Sequence, residues 1–91
     1  MTLPPTLDDI VPTLLRLGAR RRLPAGHVLI EQGRHDRSVF YLLGGTVEVV
    51  RDGSRVASIC AGDVVGEYAF MDNRPRTASV RTLEPVDLIE L

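Results

Sequence analysis

The 91-residue chain has one cysteine, no tryptophan and no lysine. A single thiol, Cys60, excludes an internal disulfide framework. Its expected place is that of a small buried hydrophobe rather than a reactive group. Aromatic side chains are limited to Phe40, Tyr41, Tyr68 and Phe70, so the core has to be aliphatic. All 11 basic residues are arginine, they face 12 acids, and the formal net charge is −1. That balance gives no bulk attraction to nucleic acid or to an acidic surface. No apolar run approaches the ~20 residues of a membrane span, and no basic segment followed by an apolar stretch opens the chain as in a signal peptide. The expectation is a cytoplasmic protein, or a cytoplasmic piece of a larger one, without a membrane partner. At this length it holds one domain and one core.

Punctuation by turn residues organises what is present. Residues 1–18 read as a tail with a short helix. Thr6 and Asp9 resemble a capping pair, and Leu7, Ile10, Val11, Leu14, Leu15 and Leu17 fall near helical spacing. Pro12 predicts a turn over Leu7–Val11 and a helix starting at the proline, ended by Gly18. From residue 19 onward short strands take over. Arg20–Arg22 reads as a solvated strand edge. Leu23-Pro24-Ala25-Gly26 signals a turn, Val28–Ile30 a short strand, and Val39–Leu43 a buried strand. Thr46–Arg51 alternates with period two. Asp52-Gly53 follows directly, and Val56, Ser58 and Cys60 alternate with Arg55, Ala57 and Ile59. An Asp-Gly pair between such runs is a hairpin signal. Ala78–Leu83 and Val86–Leu91 supply two more strands. This pattern predicts a mainly β sandwich or barrel, because no long helices separate the strands as a parallel α/β sheet requires.

The chemistry concentrates in Gly62–Thr82, GDVVGEYAFMDNRPRTASVRT. A glycine at the start of a helical turn lets backbone N–H groups approach an anion. Arg76 adds a planar, permanently charged fork suited to phosphate. Glu67 is a poor neighbour for phosphate but a good acceptor for a sugar hydroxyl. Together they suggest a pocket for a small, singly charged sugar phosphate.

Over Gly18–Leu91 the sequence resembles the cyclic nucleotide-binding domains, a family that includes sensor domains of catabolite activator-type regulators, cyclic-nucleotide-dependent kinases and nucleotide-gated channels. Leu23–Gly33 resembles that family's opening hairpin. Phe40–Val49 resembles its aromatic strand, glycine turn and returning strand. Ala61–Glu67 resembles the start of its phosphate-binding cassette, and Pro75–Val80 the end. The resemblance implies an eight-stranded jelly-roll β-barrel over residues 19–91 with a short helix in the cassette. It also implies a regulatory module whose ligand is cAMP or cGMP, with no catalytic cofactor. Arg76 would pair with the exocyclic phosphate oxygens. Glu67 would accept from the ribose 2′-hydroxyl, with the Gly66 backbone near the sugar. The N–H groups of Tyr68, Ala69 and Thr77 would lie near the phosphate. Val64, Val65 and Val80 would wall the sugar or base. Thr77 is compatible with either nucleotide. Val65 stands where an aromatic is common and Tyr68 where an aliphatic is common. The C-terminal lid helices and the effector domain of family members are expected to be absent from this chain.

Other readings compete. A barrel that binds nothing would use a Glu67–Arg76 ion pair to close a loop and would serve as an interaction or dimerisation module. Homodimerisation through an exposed strand end at Leu88–Leu91 is a further expectation. A metal-dependent jelly-roll enzyme would need clustered histidines, and His27 and His35 stand apart. No nucleophile has an evident base partner, so neither catalysis nor a metal site is expected. DNA binding through Arg20–Arg22 would need a broader basic surface.

Overall fold

The computed structural model describes residues 7–66 and 74–91, with side chains described from residue 11 onward within those spans. Helix α1 covers Leu7–Leu17, and Gly18 closes it by donating its N–H to the Leu14 carbonyl at 2.9 Å. The helix contains Pro12 in its second turn rather than starting there. An interior proline removes one backbone bond. The fold accepts that loss while α1 leads straight into the first strand.

Among the described residues eight strands form: β1 (Ala19–Leu23), β2 (Val28–Ile30), β3 (Phe40–Gly44), β4 (Thr46–Arg51), β5 (Ser54–Cys60), β6 (Val64–Val65), β7 (Ser79–Thr82) and β8 (Val86–Glu90). They form two four-stranded sheets in the orders β1-β8-β3-β6 and β2-β7-β4-β5, and the pairings are antiparallel. This is a two-layer jelly roll. Among the described residues no ladder joins one sheet to the other, so the expected barrel is a sandwich. The expected cassette helix falls on residues 67–73, outside the described residues.

Alternation builds the core. Ile30, Phe40, Leu42, Val47, Val65, Val80, Val86 and Leu88 form one buried cluster, with Leu23, Leu29, Val49 and Ile59 packed against it. Aliphatic residues dominate it, as the aromatic scarcity requires. The β4–β5 turn is the one the Asp-Gly pair predicts, with φ of 52° at Asp52 and 83° at Gly53. Two positive φ values match the twist of a two-residue hairpin. Thr82 ties the Pro24–His27 turn to β7. Its buried hydroxyl donates to the Pro24 carbonyl at 2.6 Å and accepts from the His27 N–H at 2.8 Å.

Three expectations change. Cys60 is exposed, because β5 is an edge strand on which Ile59 turns toward the core and Cys60 away from it. The C-terminal strand is no exposed edge, since β8 is paired by β1 on one side and β3 on the other. With Leu88 and Ile89 both at 0% exposure, the stated basis for dimerisation there is gone. The arginine run does lie on a solvated edge strand, but acids partner it. Arg20 makes a two-point contact with Asp87, and Arg21 pairs with Glu90 at 2.6 Å.

Candidate functional site

Strand β6 is short, and Val65 anchors it by packing into the core opposite Phe40. The chain then turns at Gly66 with φ of 94°. A side chain here would be strained, and it would also collide. A Cβ would sit 2.7 Å from the Ser38 carbonyl oxygen and 2.8 Å from Nη1 of Arg76. Glycine is therefore required twice, once for the backbone and once for the approach of the guanidinium.

Arg76 arrives from the other side. Its N–H donates to the Arg34 carbonyl and its carbonyl accepts from Gly33, both at 2.8 Å. These bonds clip the segment before β7 to the loop after β2. The guanidinium is buried, with the residue 5% exposed. Nε donates to Asp36 Oδ1 at 2.8 Å and Nη1 to the Gly66 carbonyl at 2.8 Å, while Nη2 donates to Asp36 Oδ1 and to the Ser38 carbonyl. Four of the five guanidinium N–H groups are thus engaged. Asp36, with a side chain 40% exposed, neutralises the charge from the solvent side.

Beside this clamp lies a cavity of about 340 Å³, within the size range of small-molecule sites. Ile30, Val49, Ile59, Val65 and Val80 give it an aliphatic floor, and Gly66, Arg76, Thr77 and Val64 border it. The structure therefore brings Val64, Val65, Gly66, Arg76, Thr77 and Val80 to one cavity. Glu67, Tyr68 and Ala69 lie outside the described residues. Val65 is 3% exposed, so its departure from the usual aromatic is a core adjustment. Among the described lining residues there is no histidine, cysteine or serine, and no group of three His, Cys, Asp or Glu residues could hold a metal. The wall can hold an anion against an apolar floor.

Sequence reasoning missed Asp36. It read as one polar turn residue among several, and nothing in its neighbours announces a partner 40 positions away. The competing non-binding reading had Glu67 pair with Arg76; Glu67 lies outside the described residues, and among the described residues the carboxylate on Arg76 is that of Asp36. Arg51 and Arg74 also line the cavity and carried no signal beyond their charge.

The model of the cyclic nucleotide-binding domain matches residues 20–91. The chain belongs to that family. The chain is similar to the Pycsar effector protein XpPycTIR of Xanthomonas perforans, at 37% identity over 85 residues, covering 92% of this chain and 28% of the effector. The cGMP-dependent protein kinase egl-4 of Caenorhabditis briggsae is 37% identical over 67 residues, covering 74% of this chain and 9% of the kinase. Among solved structures, the regulatory domain of Toxoplasma gondii PKA with cAMP superposes with a TM-score of 0.78 at 27% identity, over 89% of this chain and 33% of that one. This cyclic nucleotide-binding domain thus spans less than a third of the length of the curated relatives just named. No helix among its described residues is long and apolar enough to cross a membrane.

Proposed function

We propose that residues 19–91 bind a cyclic mononucleotide, cAMP or cGMP, in the cavity beside Arg76 and act as the regulatory sensor of a cytoplasmic signalling protein. The observation that carries this reading is a buried arginine on the wall of a small apolar cavity, beside a glycine that no other residue can replace, in a chain of this family. A cyclic phosphodiester has one negative charge, and one arginine with a few amides can match it. Arg76 then takes the exocyclic oxygens and the Thr77 N–H supports them. Gly66 and Glu67 meet the ribose, Tyr68 and Ala69 offer N–H groups to the phosphate, and Val64, Val65 and Val80 wall the sugar and base.

The clamp sets a condition. Among the described residues one guanidinium N–H, on Nη1, has no acceptor, so two-point capture of a phosphate requires a bond to Asp36, Gly66 or Ser38 to open. Ligand arrival on this reading therefore rearranges the Arg76 clamp, whose bonds reach the Gly66 turn and the Asp36–Ser38 segment. The partner that reads the change is an effector domain or protein.

The same saturation favours a second reading, in which Arg76 is only a structural clamp and the domain is a non-binding interaction module. Calorimetric titration with cAMP, cGMP and the linear monophosphate AMP separates the two. The sensor binds a cyclic nucleotide and rejects AMP, which differs from it in shape as well as in charge. Heat from neither cyclic ligand, or equal affinity for AMP and cAMP, overturns the sensor reading.

A further inference from the structure

One negative charge needs one arginine, and among the described residues three line the cavity, Arg51, Arg74 and Arg76. Arg76 is committed to the clamp. Arg51 and Arg74 are exposed, and among the described residues neither side chain makes a hydrogen bond or ion pair. No acid among the described lining residues faces them.

Arg51 is placed by the sheet. It is the last residue of β4 and has the parity of Val47 and Val49, which face the interior. The pairing of Val50 with Ser79 puts Arg51 level with the segment leading into β7. Its backbone position is fixed by the Asp52–Gly53 turn, and Gln32 ties that turn to the end of β2. The Gln32 amide donates to Asp52 Oδ1 at 2.8 Å and accepts from the Asp52 N–H at 2.9 Å. Arg76 is clipped to the loop after β2, on the opposite side of β7 from β4. The two arginines therefore flank the cavity about two strand spacings apart, roughly 10 Å. On the sensor reading, a cyclic nucleotide whose phosphate meets Arg76 has room for its base against Val49 and Ile59, the lining residues on the Arg51 side of the cavity.

We infer that Arg51 reads the base edge and selects a keto base, guanine or uracil, over an amino base, adenine or cytosine. This rests on the sensor reading of the cavity. A guanidinium has donors only. Guanine offers acceptors at N7 and O6, and a uracil-type base offers O4, whereas adenine and cytosine place an amino donor at the corresponding edge. Arg74, two positions before Arg76 on the other lip, meets no base edge in this arrangement and adds positive potential for any anion.

The test is a titration of the domain with cGMP, cAMP, cUMP and cCMP, repeated with Arg51→Gln and Arg74→Gln. Comparison within each ring size removes the effect of cavity volume. The expected result is tighter binding of cGMP than cAMP and of cUMP than cCMP, by about 5- to 150-fold. Arg51→Gln collapses both ratios, since glutamine both donates and accepts, while Arg74→Gln leaves them in place. Binding with no keto preference, or a preference that survives Arg51→Gln, overturns the inference and leaves the sensor reading standing. Failure of all four nucleotides to bind overturns both.

Discussion

Replacing Arg76 by alanine separates sensor from clamp. The substitution removes four hydrogen bonds, to Asp36 twice and to the Gly66 and Ser38 carbonyls. Asp36 is half-open to water and rehydrates, so little of the cost falls there. The two carbonyls lose their donor in a buried setting, at about 1–3 kcal/mol each. A destabilisation of about 2–5 kcal/mol leaves most domains of this kind folded, given a usual total of about 5–15 kcal/mol. For the ligand, losing one partner of a buried charged pair costs about 2–5 kcal/mol, or roughly 30-fold to several thousand-fold in Kd. Arg76→Lys keeps the charge without the planar fork, and its Kd falls between those of the other two proteins. Calorimetry gives the affinities, and thermal unfolding of the same samples shows that the variants are folded. If folded Arg76→Ala binds its nucleotide within threefold of the parent, the phosphate does not use this residue.

Gly66→Ala is expected to lower stability by about 2–5 kcal/mol, combining a positive-φ penalty with overpacking, and to weaken nucleotide binding by displacing the guanidinium; denaturant unfolding with parallel titration checks both. Thr82→Val keeps shape but leaves the Pro24 carbonyl and the His27 N–H without their hydroxyl partner, so a loss of about 1–3 kcal/mol should appear in chemical unfolding with nucleotide affinity little changed. Acid should destabilise the fold. Hydrogen bonds from Arg81 and then Arg55 hold the Glu48 carboxyl below its ordinary range, and the bond from Arg20 does the same for Asp87. Both carboxyls have depressed folded pKa values, so their stabilisation is present above the unfolded carboxylate value near ~4 and is lost as pH falls through the folded values. Thermal unfolding followed from pH 7 downward should show Tm falling below about pH 4, with a shallower fall for Glu48→Gln.

Much of the sandwich was legible because its signals are local. Asp52-Gly53 demands a two-residue hairpin, and the alternation of Thr46–Arg51 fixes which face is buried. Arg76 stood out in the sequence by its chemistry, whereas Val64, Val65 and Val80 entered only with the family resemblance; the structure brings all four to one cavity. What stayed hidden depends on neighbours far along the chain. Asp36 pairs with Arg76 across the loop after β2, and no local pattern encodes that meeting. Cys60 was misplaced because the alternation in β5 does not reveal that the strand is an edge. The end of the chain was misplaced for the converse reason: β1 covers β8, and reading Arg20–Arg22 as a solvated strand edge did not say which strand it pairs with, a choice that Asp87 and Glu90 complement with their charges. Pro12 inside α1 shows tertiary context overriding a local penalty.

The pairing of β1 with β8 also has a topological consequence. Ala19 lies opposite Glu90, so the path into the sandwich and the path out of it are neighbours across one ladder, about 5 Å apart. A unit with adjacent portals can be spliced into a surface loop of a host protein while barely spreading that loop. For the same reason a short peptide joining the two portals, with new ends opened at the Asp52–Gly53 turn, gives a circularly permuted sandwich with its layers unchanged.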